Sequence, residues 1–229
     1  MLLKQTPFYE RTSALLVSRA WKRWAGYVAA TSYELSHDRE YAAIRNSAAL
    51  FDVTPLYKYH ITGRDGAALL NRIITRDMNK LAIGQVYYTP WCNADGKVID
   101  DGTVARLDEN TYRMTSAEAN LRWLHMNALK LDVQISDVSN QIAAVSLQGP
   151  TSRDILVALG ADVAQLKYFK LVKTKIRDIP VEVSRTGYTG DLGFEVWTDN
   201  GNAVRLWDAL MEEGGNWGIL PAGLLALDV

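Results

Sequence analysis

Asp100 and Asp101 are neighbours in the stretch CNADGKVIDDGTV, Cys92 to Val104. Asn93-Ala94-Asp95-Gly96 is a strong hairpin turn signal, so both aspartates fall on the returning strand. Neighbours in a strand point to opposite faces, which leaves one solvated and turns the other inward. An inward carboxylate in a partly apolar site, its pKa raised by burial, is a candidate general acid or base. The same pair also fits two solvated strand-end aspartates. A second constellation is SRTGYTGDLGFE, Ser184 to Glu195. Gly187, Gly190 and Gly193 let the backbone turn tightly and approach a ligand closely. Tyr188 stands among them on a loop, where an aromatic side chain is costly unless it packs or binds. Glu195 begins the next strand region. A carboxylate there can accept a pair of hydrogen bonds from an amino-pyrimidinone edge, the kind a pterin presents. A glycine-rich β-turn with a core tyrosine is the plain alternative, and spacing does not choose between them.

Periodicity predicts the elements that must position these residues. Thr12 caps a helix through about Trp24, and a second helix covers His37 to Ser47. FDVTPLYKYHITG is extended, and the turn at Gly63-Arg64-Asp65 opens a third helix, AALLNRIITRDM. Strands follow over Gln85–Asn93, Lys97–Leu107 and Thr111–Thr115, then a helix from Ala117 to Leu129. Val133–Val138 and Ile142–Leu147 are strands, and Gln148-Gly149-Pro150 breaks into a helix from Thr151 to Leu159. Strands near Tyr168–Val172, Ile179–Arg185 and Gly193–Thr198 precede a helix over Ala203–Glu213. The order helix, strands, helix, strands recurs twice. This predicts an α+β fold of two lobes, each an antiparallel sheet packed with helices. Residues 1–50 plus 137–229 form lobe one, and 51–136 an inserted lobe two. Pro221–Val229 opens a new helix and stops after about two turns, so the chain is expected to be truncated at Val229.

The 229 residues suffice to bury a core, and 48% apolar with 22% charged residues is ordinary for a globular chain. A net charge of −1 argues against nucleic acid as a partner. Cys92 is the one cysteine, so no intrachain disulfide forms and a reducing, cytoplasmic compartment is expected. His37, His60 and His125 lack metal-ligand spacing, and no metal site is expected. No apolar run nears the roughly 18 residues of a membrane span. Most of the seven Trp and eleven Tyr read as core, with a minority free to line a pocket for a flat heterocycle.

In order, the chain offers TPFYER, IRNSAALFDVT, LLNRIITRDMNKL, GQVYYTPWCNADGKVIDD, LQGPTSRDIL, SRTGYTGDLGFEV and LWDALMEEGG. This ordered set resembles the aminomethyltransferase (glycine-cleavage T-protein) family over almost the whole length. The resemblance implies tetrahydrofolate as the cofactor and a small methylated or aminomethyl donor, with a carrier protein as a further partner. By position, Asp101 matches the family's acidic residue near the reacting nitrogens. Tyr88, Tyr168 and Tyr188 match pocket tyrosines, Glu195 the carboxylate that reads the pterin, and Thr103 joins the folate contacts. The family fold implied has three lobes around a central hole, and its C-terminal β-barrel lobe is expected to be absent, falling after Val229.

Departures from the family pattern touch the donor side. FDVTPLYK stands where typical members carry FDVSHMGE, placing Thr54, Pro55, Leu56, Tyr57 and Lys58 on one wall. RWAGYVAATSY replaces a glycine-tryptophan segment. Ala117 replaces a pocket asparagine and Leu227 an arginine that contacts ligand, which removes amide and charge-assisted hydrogen bonds. These changes weigh against an aminomethyl-lipoyl donor and resemble the folate domains of sarcosine and dimethylglycine dehydrogenases and stand-alone demethylases. Two alternatives remain beside the enzyme. One is a non-catalytic folate binder of the iron-sulfur assembly type, whose KGCYxGQE-like motif would lie beyond Val229 or not exist. The other is an inactive fragment.

Overall fold

Among the described residues, strand-forming runs assemble into three sheets. The computed structural model describes residues 3–228. In chain order the helices are α1 (Tyr9–Leu15), α2 (Asp38–Asn46), α3 (Gly66–Ile73), α4 (Leu121–Asn127), α5 (Ser152–Ala158) and α6 (Ala203–Gly214). The strands are β1 (Ala20–Trp24), β2 (Tyr27–Ser32), β3 (Ala48–Asp52), β4 (Tyr57–Thr62), β5 (Gln85–Cys92), β6 (Val98–Asp108) and β7 (Thr111–Ser116), then β8 (Gln134–Asp137), β9 (Ile142–Gln148), β10 (Leu171–Ile176), β11 (Ile179–Ser184), β12 (Gly193–Asp199) and β13 (Ile219–Pro221). The chain divides into two units. One comprises Met1–Pro55, Gln141–Tyr168 and Val172–Val229, the other Leu56–Asn140 and Phe169–Leu171.

The first unit is built on a six-stranded sheet in the order β10-β11-β12-β9-β3-β13. Pairing is antiparallel at β11–β12, β12–β9 and β9–β3, and parallel at β3–β13. Alternation along these strands separates two faces. Val145, Leu147, Val183, Phe194 and Val196 bury against Ile155 and Leu156 of α5 and against α6. Helix α6 presents Ala203, Leu206, Trp207 and Leu210, the i, i+3, i+4, i+7 stripe of a one-sided helix. The opposite face carries Ser146, Gln148, Ser184 and Glu195 beside the apolar Phe51, Ala144 and Trp197. The buried carboxylate of Glu40 ties α2 to its surroundings, accepting from the backbone N–H groups of Tyr33 (2.6 Å), Glu34 (3.1 Å) and Gly223 (2.8 Å).

Three expectations for this unit are corrected. The helix from Thr12 to Trp24 ends at Leu15, and Ala20–Ser32 is instead the β1–β2 hairpin. Ala25 and Gly26 both take positive φ (46° and 85°), the requirement of a two-residue type I′ turn. Trp and Val around that turn favour strand over helix. The segment after Gly218 does not open a helix: Ile219–Pro221 pairs with Ala48–Leu50, and Leu224–Leu227 makes only a short 3-10 turn. Val229 lies outside the described residues. Finally, β10 begins at Leu171, so Tyr168 precedes the strand.

The second unit holds a five-stranded antiparallel sheet in the order β5-β6-β7-β4-β8. Its core packs Tyr59, Ile61, Trp91, Val104, Tyr112 and Met114 beneath α3 and α4. Helix α4 starts at Leu121 rather than Ala117, because Asn120 donates its backbone N–H to the Tyr59 hydroxyl (2.8 Å) and Ser116 Oγ donates to the Glu118 carbonyl (2.7 Å). Hydrogen bonds of this local kind compete with a first helical turn. Among the described residues, no helix is long and apolar enough to cross a membrane.

Candidate functional site

In the second unit, β5 and β6 pair from Gln85↔Arg106 to Trp91↔Asp100, and then the register slips so that Cys92 faces Val98. Ile99 is the extra residue of a β-bulge immediately before the aspartate pair, and bulges of this kind re-aim side chains. Asp100 turns inward and is only 8% exposed. Its Oδ2 accepts from Asn120 Nδ2 (2.8 Å) and from the Glu118 backbone N–H (3.0 Å), while its Oδ1 accepts from the Asp101 N–H (2.8 Å). Asn120 Oδ1 in turn accepts from the fully buried Trp91 Nε1 at 3.2 Å. Burial raises the pKa of Tyr59, whose hydroxyl takes the Asn120 N–H. The inward carboxylate anticipated as an acid or base is thus Asp100, and three donors hold it as an anchor.

Asp101 is half-buried on the other face of the sheet. The Tyr88 hydroxyl donates to its Oδ2 at 2.7 Å. Thr103, two residues on and opposite Tyr88 in register, shares a hydrogen bond of 2.6 Å with Thr115 Oγ1. Lys58, in register with Thr115, is fully buried and donates to the Leu56 carbonyl at 2.8 Å. Gly102 lies between Asp101 and Thr103, and a Cβ there would stand 1.9 Å from the Thr115 carbonyl oxygen. Only glycine lets β7 come that close. Tyr88, Asp101 and Thr103 are therefore brought together.

In the first unit, Glu195 faces Ser146 on one side and Ser184 on the other. Thr186 Oγ1 donates to Glu195 Oε2 at 2.5 Å and shares a 2.7 Å bond with Ser184 Oγ. The amide of Gln148, fully buried, is wedged into the glycine loop. It donates to Ser146 Oγ (2.8 Å) and the Thr186 carbonyl (3.3 Å), and accepts from Thr189 Oγ1 (3.0 Å). A Cβ at Gly187 or Gly193 would stand 2.1 or 2.0 Å from Gln148 Oε1. These two glycines therefore make room for Gln148, and the expectation that they admit a ligand is corrected. Gly190 is the one of the three at positive φ (77°), with open space around it. Arg45 of α2 clamps the loop from outside, bonding the Thr189 carbonyl at 2.9 Å and pairing with Asp191, whose hydrogen bond raises the arginine pKa.

Tyr88, Tyr168 and Tyr188 are 48%, 66% and 81% exposed, which is far from core packing. The reading of Tyr188 as a core tyrosine is thereby removed. Ala117 is exposed beside the Asp100 anchor. Leu227 lines a cavity of about 20 Å³, with Trp21, Tyr33, Phe51 and Asp52 among its other walls. That is space for a single water. Burial, then Asp52 and Glu40, push the Tyr33 hydroxyl well above its usual pKa. Among the described residues, no group of three or more His, Cys, Asp or Glu side chains could hold a metal ion. Sequence reasoning missed Gln148 and Asn120. A polar residue beside Gly149 in a strand, and an asparagine just before a helix, were the available signals.

An α+β fold with antiparallel sheets, an aspartate–tyrosine pair on one sheet face and a glycine loop built around a buried glutamine define the class. The GCVT N-terminal domain family matches residues 9–229, and the chain belongs to that family. It is 38% identical to the aminomethyltransferase of Caldanaerobacter subterraneus subsp. tengcongensis over 235 residues, covering 99% of this chain and 61% of the relative. Against the aminomethyltransferase of Thermoanaerobacter sp. (strain X514), identity is 36%, with 99% and 62% covered. The chain thus spans about three fifths of the length of these relatives. The crystal structure of glycine cleavage system aminomethyltransferase T from Bartonella henselae superposes with a TM-score of 0.87 at 25% identity, covering 99% of this chain and 61% of that one. A chain of the heterotetrameric sarcosine oxidase from Corynebacterium sp. U-96 shares the fold, with a TM-score of 0.65 at 16% identity, 94% of this chain and 96% of that one being covered.

Proposed function

We propose that the protein takes part in tetrahydrofolate-dependent transfer of a one-carbon group from a small methylated or aminomethyl donor, with a carrier protein as a further partner, in the cytoplasm. The observation that carries this reading is the Tyr88–Asp101 hydrogen bond on an accessible sheet face, in a chain of the GCVT N-terminal domain family. The residues fit the cofactor's chemistry. Exposed tyrosine faces suit a flat heterocycle. A carboxylate steadied by Thr186 suits an amino-pyrimidinone edge. Tetrahydrofolate supplies the nitrogens that accept the one-carbon group.

Asp101 acts as the acid–base group. Asp101 would take up the proton displaced from the accepting nitrogen and return it to the donor atom, which would leave with the bonding pair. Tyr88 fixes one carboxylate oxygen, so the other is aimed rather than free to rotate. Tyr88 and Thr103, and by family position Tyr168, Tyr188 and Glu195, bind and orient. Most of the rate gain then comes from holding donor carbon and acceptor nitrogen in place. The residues at Ala117 and Leu227 supply no amide or charge-assisted hydrogen bond, which weighs against an aminomethyl-lipoyl donor. Transfer of label from a methyl- or aminomethyl-labelled donor to tetrahydrofolate tests the reading. Asp101→Asn should bind tetrahydrofolate about as well as the wild type and turn over at least about a hundredfold more slowly. Normal turnover in that variant would refute the role.

A further inference from the structure

Asp100 is the more buried of the two aspartates, and its three hydrogen bonds join two things the chemistry needs in register. Through Oδ1 it holds the backbone N–H of Asp101; through Oδ2 it holds the Glu118 N–H and the Asn120 amide, that is, both ends of the Glu118–Asn120 turn. The bulge at Ile99 makes this geometry available, because it sets Asp100 across from Trp91 in register, on the same buried face of the sheet. Trp91 Nε1 and the Tyr59 hydroxyl lock Asn120 from the far side.

We infer that Asp100 is a positioning residue for the one-carbon transfer, acting through Asp101 by fixing the backbone from which that carboxylate meets the Tyr88 hydroxyl. This rests on the assignment of Asp101 proposed above. Asparagine at position 100 keeps the shape but sets an NH2 or a neutral oxygen against donors, so the Glu118–Asn120 turn and the Asp101 amide lose their common acceptor. A displacement of about 1 Å at a reacting group costs on the order of a hundredfold in rate. Asp100→Asn should therefore lower kcat about ten- to a hundredfold while the Kd for tetrahydrofolate changes by less than about threefold.

The decisive test is a double-mutant cycle in the protein, read by tetrahydrofolate titration and by single-turnover transfer from a labelled aminomethyl donor. If Asp100 acts through Asp101, adding Asp100→Asn to Asp101→Asn costs no further rate. Asn120→Ala, which removes only one of the donors on Oδ2 and the Trp91 partner, should show a smaller loss with the same non-additivity. It keeps the test open if Asp100→Asn folds poorly. Additive losses in both pairs would overturn the inference and leave the proposed function standing. An Asp101→Asn variant with wild-type turnover would overturn both.

Discussion

At the scale of single residues, the aspartate pair shows what a sequence discloses and what it conceals. Strand alternation states that Asp100 and Asp101 face opposite ways. Which of them faces in depends on the bulge at Ile99, a one-residue slip that no spacing rule marks. The donors that occupy Asp100 come from Asn120 and Glu118, some twenty residues along the chain, and are invisible in a local reading. The Tyr88–Asp101 bond crosses from β5 to β6 and depends on the same register. It has a measurable weight. A hydrogen bond to a charged group is worth about 1.5 kcal/mol where solvent competes, which is about tenfold in rate. Tyr88→Phe should thus lower kcat about tenfold and leave the urea midpoint within error of the wild type. A kcat unchanged by that substitution would show that the hydroxyl does not help aim Asp101.

At the scale of elements, Gly187 and Gly193 of the SRTGYTGDLGFE stretch owe their identity to Gln148, which lies about forty residues earlier in the chain. A Cβ at Gly193 would overlap the Gln148 amide, so Gly193→Ala should destabilise by about 3 kcal/mol by equilibrium unfolding. In a Gln148→Ala background the same change should cost much less, since the obstacle is gone. Equal costs in both backgrounds would mean that the glycine serves something else. Gly102→Ala meets backbone rather than side chain, and no partner mutation should rescue it. The strands around Asp101 and Glu195 were legible because apolar alternation and the Asn93–Gly96 turn are local signals. The β1–β2 hairpin was not. Its turn is Ala25-Gly26 rather than Asn-Gly, and Trp21 and Trp24 fall three apart, a spacing that also satisfies a helix. The pairing of β13 with β3 is parallel and joins segments about 170 residues apart, which no local pattern announces.

At the scale of the whole molecule, the chain has the fold of the GCVT N-terminal domain family to which it belongs, and it spans about three fifths of its curated relatives. Its response to alkali follows from buried phenols. The Tyr33 hydroxyl is raised well above the ordinary tyrosine value by burial and by Asp52 and Glu40. A raised folded pKa favours the protonated form in the native state. Its contribution is complete below about pH 10, where the unfolded tyrosine ionises, and is lost as pH rises from there toward the folded value. Tyr33→Phe should therefore flatten the fall in urea midpoint above about pH 10; an unchanged slope would mean that this phenol is not linked to folding. Folate recognition is open to a tetrahydrofolate titration followed by tryptophan fluorescence. A saturable quench is expected for the wild type, about as strong an affinity for Asp101→Asn, and an affinity weakened at least about tenfold for Glu195→Ala, which loses a charge-assisted acceptor. No saturable change with the wild type would rule out folate recognition by this protein.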